Sequence, residues 1–177
     1  MKKKVVSLFI SIFIIFMCIP NITYAVPVET NPIPLGPNVK DLQGSSEITN
    51  YFQDLKRMRA NFITIDINPN STSEELNTIS NSLDTYIEYF SQIISNLDAY
   101  ALKYQDSALD VTLANQISFI SNSYIMSLNE QKNLINALLT NETDSRNLFY
   151  SNRLVPVYYF LTLGDQILTY IDTYYTF

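Results

Sequence analysis

Apolar residues along most of this chain recur at alternating intervals of three and four, the period of one face of an α-helix. The first run is Ile48, Tyr51, Leu55, Met58, Phe62 and Ile65. Asn68-Pro69-Asn70 ends it, because a residue preceding proline disfavours the α region. A start signal follows at once. Ser71 precedes Glu74 by three residues and Thr72 precedes Glu75 by three, so either pair can close a capping box. The seam then runs through Leu76, Ile79, Leu83, Tyr86, Phe90, Ile93, Leu97, Tyr100 and Tyr104 without a break in period. At ~1.5 Å per residue this predicts a helix of roughly 45–50 Å.

Neither glycine nor proline marks its end. The phase of the apolar stripe does. Continuing the same seam would place Ser107, Val111, Ala114, Ser118 and Ser121 inside, most of them polar or small, whereas the next apolar set is Leu109, Leu113, Ile117, Ile120, Tyr124, Leu128, Leu134 or Ile135, and Leu138. A tight turn near Gln105-Asp106, with Asp106 or Ser107 as N-cap, accounts for the jump. One bent helix across 73–140 is the alternative. The polar stretch Thr140 to Asp144 is the next break, and a last helix is expected from near Ser145 to the C-terminus. Pro156 lies inside it and is predicted to kink or split it. Its seam reads Phe160, Leu163, Ile167, Tyr170, Tyr174 and Phe177, with a second row at Leu161, Leu168 and Ile171. On that pattern the last helix should be the most buried of all. The core is predicted to include Leu83, Phe90, Ile93, Leu97, Ile117, Ile120 and Ile167.

Helices with one apolar face bury it against each other, and short links favour antiparallel neighbours. The expected fold class is therefore all-α: an antiparallel helical bundle over residues 46–177, with one shorter and three long helices, the last kinked at Pro156. No hairpin dipeptide or strand run competes with it.

The N-terminus follows different rules. Lys2, Lys3 and Lys4 precede an apolar run from Val5 to Ile19, and Thr23-Tyr24-Ala25 supplies small residues at −3 and −1 of a cleavage site. This is the pattern of a secretory signal peptide, residues 1–25, cleaved after Ala25 to leave Val26 first. The apolar run is shorter than the ~20 residues that span a bilayer. Residues 26–45 carry Pro27, Pro32, Pro34 and Pro37 and read as an extended, Pro-rich leader. The expected location is extracellular. The abundance of Asn, Ile, Ser and Tyr suggests a bacterium with an AT-rich genome.

Cleavage changes the chemistry that remains. The single cysteine, Cys18, leaves with the signal, and the chain has no histidine. Thiol nucleophiles, disulfides, histidine triads and histidine metal sites are thereby excluded from the mature protein. No Gly-rich phosphate loop or EF-hand spacing is present, so no cofactor is expected. The full chain has 11 basic and 17 acidic residues. Losing three lysines takes its formal charge from −6 to −9. That field opposes binding to nucleic acid and to anionic membranes.

Two features are candidates for a partner site. Lys56-Arg57-Met58-Arg59 is a basic cluster in an acidic protein, with Lys56, Arg57 and Arg59 on or beside the solvent face. Tyr158-Tyr159 is an adjacent aromatic pair, as is Tyr174-Tyr175. Neighbours on a helix lie about 100° apart, so one of each pair is expected at the surface, where tyrosine favours protein contacts. These observations point to a secreted, non-catalytic protein that binds an extracellular macromolecule or self-associates through helix faces. Two alternatives come from the same residues. The apolar stretch Leu154 to Leu163 fits a membrane-active toxin component, although ten residues are too few to span. A small helical enzyme would have to work with Arg57, Arg59, Lys103, Glu130, Arg146 and Arg153. An inward-facing polar pocket would favour the enzyme, and a dry core would favour binding.

Overall fold

Local capping chemistry sets the helix boundaries. In the computed structural model, which describes residues 36–62, 67–140 and 147–177, four α-helices follow one another. They are α1 (Ser45–Asn61), α2 (Ser73–Lys103), α3 (Ala108–Leu139) and α4 (Leu154–Tyr174). The signal peptide and most of the leader lie outside the described residues, as do Ile65 and the break at Asn141 to Asp144. All described residues belong to the compact unit Leu35–Phe177. Among them there is no sheet, and the one extended pairing is an isolated bridge between Asn38 and Thr176.

Of the two capping boxes open to α2, Thr72–Glu75 forms. The Glu75 N–H donates to Thr72 Oγ1 at 3.3 Å, and the Glu75 carboxylate accepts from the Thr72 N–H at 2.7 Å. Residues 73–140 form two helices, not one bent helix. α2 stops at Lys103, and Ser107 caps α3. α1 is the shortest, at 17 residues, against 31, 32 and 21 for the others. It ends at Asn61, where Phe62 turns extended and closes the last turn onto the Met58 carbonyl.

The packed region begins upstream of α1. Gly36 donates to the Tyr174 carbonyl and Val39 to that of Thr176, both at 2.8 Å. Val39, which opens a 3-10 turn at Val39–Asp41, and Leu42, which closes it, are buried. Residues 36–44 are thus seated on the end of α4. Val39 and Leu42 supply the apolar area that holds them there.

α3 is the centre of the core. Fifteen of its residues are buried, and it packs on both α2 and α4. Leu83, Phe90, Ile93, Leu97, Ile117 and Ile120 are buried as their spacing predicts. Ile167 is only partly buried. That difference belongs to a larger correction: α4 buries its other row. Leu154, Val157, Leu161, Gly164 and Ile171 face inward, whereas Phe160, Leu163 and Ile167 are half-buried and Tyr170 is 50% exposed. α4 is therefore not the most buried helix. Gly164 explains the phase. A Cβ there would lie 2.5 Å from Cε1 of the buried Tyr124, so the missing side chain admits the ring and draws this face against α3. Two smaller corrections have local causes. Leu109 is 47% exposed and its neighbour Asp110 is fully buried, and on α1 the inward aromatic is Phe52, stacked on Phe177 at 4.6 Å, in place of Tyr51.

Candidate interaction surface

α4 begins with a widened turn. Phe149–Arg153 is π-helical, with the Arg153 N–H reaching back five residues to the Leu148 carbonyl at 3.1 Å. Pro156 follows as the third residue of α4, just past the π turn, whose Phe149 carbonyl accepts from the Leu154 N–H. The turn buries Phe149 and turns Tyr150 outward, 74% exposed. The next turns of α4 continue that outer face with Val155 (59%), Tyr158 (48%) and Tyr159 (63%). Together with Leu154 and Leu163 they line a shallow groove whose other walls are Thr162 and Gln166.

Position along α4 follows from its inner face. Ser127 Oγ on α3 donates to the Val157 carbonyl at 2.9 Å, fixing the strand of backbone that carries the two tyrosines. Tyr159 also packs edge-on to Phe160, with centroids 5.2 Å apart. The groove contains no charged residue. Its chemistry is apolar contact plus three phenolic hydroxyls, the amphipathic combination that favours protein recognition.

The basic cluster lies elsewhere and is committed within the fold. Lys56 Nζ donates to Asp172 of α4 at 2.7 Å. Arg59 forks onto Asp165 of α4 at 2.7 and 2.8 Å, donates to the Phe62 carbonyl at 3.2 Å, and lies over the Tyr124 ring. Tyr124 donates its hydroxyl to the same carboxylate at 2.8 Å. The hydrogen bonds to Asp165 push the Arg59 pKa up. Burial alone would raise the Asp165 carboxyl, but Arg59 and Tyr124 outweigh it and hold it low. Arg57 is the most solvent-exposed of the three. It pairs with Asp54 at 2.8 Å and reaches Tyr89 Oη at 3.4 Å. Lys56 and Arg59 therefore clasp α1 to α4, and Tyr158 is seven residues, about 10 Å, from Asp165 along the helix. The five candidate residues fall into two groups, not one patch.

The spacing argument missed Asp110. This buried carboxylate accepts the Gln43 and Gly44 N–H groups at 3.2 and 3.0 Å, and it also accepts the hydroxyls of Tyr100 and Ser107. It ties the start of α1 to the turn between α2 and α3. Burial opposes its charge, but these four donors prevail and lower its pKa. The signal was available: Ser107-x-x-Asp110 is a serine N-cap followed three residues later by an acid.

Among the described residues no group of acidic, histidine or cysteine side chains is arranged to hold a metal ion. No described helix is long and apolar enough to cross a membrane. The inward-facing charged groups, Asp110 and the Arg59–Asp165 pair, are held by partners within the fold. A separate open pocket between α3 and the start of α4 is lined by Glu130, Asn133, Asn152 and Arg153, so it brings together two of the residues that a helical enzyme would have to use. Comparison with protein-family models, curated proteins and solved structures finds no match.

Proposed function

We propose that this is a secreted, non-catalytic helical bundle that binds an extracellular protein through the outer face of α4, centred on Tyr158 and Tyr159. The observation that carries the reading is the groove itself: apolar and aromatic, open to solvent, and uncharged on a chain of net charge −6, or −9 once the signal is removed. A surface that hydrophobic on an otherwise acidic domain is the usual mark of an interaction site. Helix-in-groove recognition uses such anchors at successive turns. Arg57, exposed on the α1 side, is the residue of the basic cluster best placed to steer an acidic partner, while Lys56 and Arg59 hold the scaffold.

In this reading neighbouring helices run antiparallel and α4 bends where the π turn meets Pro156. The pairings Glu47–Lys103 and Asn61–Tyr86 support that order for α1 and α2, Phe90–Tyr124 for α2 and α3, and Gln116–Tyr175 with Ser127–Val157 for α3 and α4. Export by the N-terminal signal delivers the mature chain from Val26. N-terminal sequencing of protein in the culture supernatant tests that step, and full-length chain retained in the membrane fraction contradicts it. Binding is tested against membrane activity by adding mature protein to dye-loaded liposomes and to cells that display candidate partners. Saturable, protease-sensitive attachment to cells without dye release supports the proposal. Dye release at comparable concentrations overturns it.

A further inference from the structure

α3 presents to solvent a strip unlike that of the other helices. Asn115, Asn122, Asn129 and Asn136 recur every seventh residue, and all four are exposed. Phe119 and Met126 stand between them, 52% and 50% exposed. The interval alternates four and three, the seam of a coiled coil, with the aromatic and thioether at one heptad position and the amides at the other. The strip extends about 30 Å along the helix. No exposed residue of α3 carries a charge, whereas the exposed face of α2 includes Glu74, Glu75, Glu88 and Asp98.

We infer that this strip is the interface through which two copies of the chain associate. Two features on the strip select a second copy as its occupant. A protein of net charge −6, or −9 after cleavage, repels its own copies wherever acidic faces meet, and this strip offers such a copy no opposing charge. Its polar groups are also self-complementary. Each side-chain amide is both donor and acceptor, so an Asn can pair with the same Asn related by a two-fold axis, which is what an isologous dimer requires. Asn122 donates Nδ2 to the Ser118 carbonyl at 3.0 Å, which leaves its Oδ1 to accept from across the interface. Antiparallel pairing centred near Asn122 sets Phe119 of one copy against Met126 of the partner subunit. Asparagine buried at a coiled-coil seam fixes register and oligomeric state at a cost in affinity, so the dimer is of moderate strength. The strip is a convex ridge, which meshes with another helix. The interface is separate from the α4 groove, and the inference stands whether or not that groove binds a protein.

The test uses a chain beginning at Val26, which keeps the whole compact unit Leu35–Phe177. Sedimentation equilibrium should give a concentration-dependent dimer below about 0.1 mM. Asn122→Glu and Asn129→Glu should each weaken it at least about tenfold with unchanged helix content, the first because it sets like charges across the two-fold and the second because it sets a carboxylate against Asn115 of the partner subunit with no cation to pair it. Cysteine at one strip position gives a second readout, since the only natural cysteine is Cys18. Asn122→Cys should form an intermolecular disulfide under mild oxidation, and Asn50→Cys, on the exposed face of α1, should not. A monomer at every concentration overturns the inference. So does a dimer that ignores both glutamates but dissociates on Tyr159→Asp, or a monomer whose strip binds a neutral polysaccharide.

Discussion

Single residues in this bundle are read best through what they satisfy. Asp110 is the clearest case, because four donors from three parts of the chain converge on one buried carboxylate. Replacing it with asparagine turns an acceptor into a partial donor and leaves buried N–H or O–H groups unpaired. Asp110→Asn should cost about 2–3 kcal/mol at pH 7, the range for hydrogen bonds to a charged group. The pH dependence follows from the same contacts. Asp110 and Asp165 both titrate lower in the folded chain than in the unfolded one. Their contribution is complete above the unfolded carboxylate pKa of about 4 and is lost as the pH falls through the lower folded values. Thermal melts from pH 7 to pH 3 should show the wild type losing stability on the acid side. Asp110→Asn should begin lower and lose less. A variant that melts with the wild type at pH 7 would remove Asp110 from this role.

At the scale of elements, the starts of α2 and α3 were legible. The end of α1, expected at Asn68-Pro69-Asn70 and found at Asn61, was not, and neither were the start of α4, expected near Ser145 and found at Leu154, and the phase of α4. Capping chemistry is local, so Thr72-x-x-Glu75 and Ser107 could be read without knowing what the helices touch. The stripe of α2 was equally clear, because its outer face is polar and leaves one choice. α4 is apolar on nearly every side, and two rows of 3–4 spacing compete along it. Weighing residues by size favours the row with Phe160, Tyr170 and Tyr174. Packing favours the row with Gly164, because the Tyr124 ring needs the space that glycine leaves. Gly164→Ala should therefore destabilise the fold by about 1–3 kcal/mol, the usual cost of overpacking, although alanine is the better helix former. Chemical denaturation measures it. A stabilised variant would mean that the Tyr124 ring moves aside freely and that Gly164 does not set the phase. The site was half legible for the same reason. Tyr158-Tyr159 marked the outer face correctly, but no spacing rule foretells that Lys56 and Arg59 find Asp172 and Asp165, more than a hundred residues away in sequence.

For the whole molecule, the arrangement separates what holds it together from what it offers. The buried polar groups described above are satisfied by neighbours, and the Lys56 and Arg59 ion pairs join α1 to α4. The uncharged outer surfaces lie on α4 and α3, whereas acidic residues are exposed on α2. That division suits the binding role proposed for the outer face of α4. The most direct test is capture of a surface protein by the mature chain, compared with a Tyr158→Asp/Tyr159→Asp variant of the same helix content. The account predicts a specific protein held by the wild type, identified, and then bound in purified form at least about tenfold more weakly by the variant. Equal binding of that purified protein by both forms, or no protein bound by either, would contradict it.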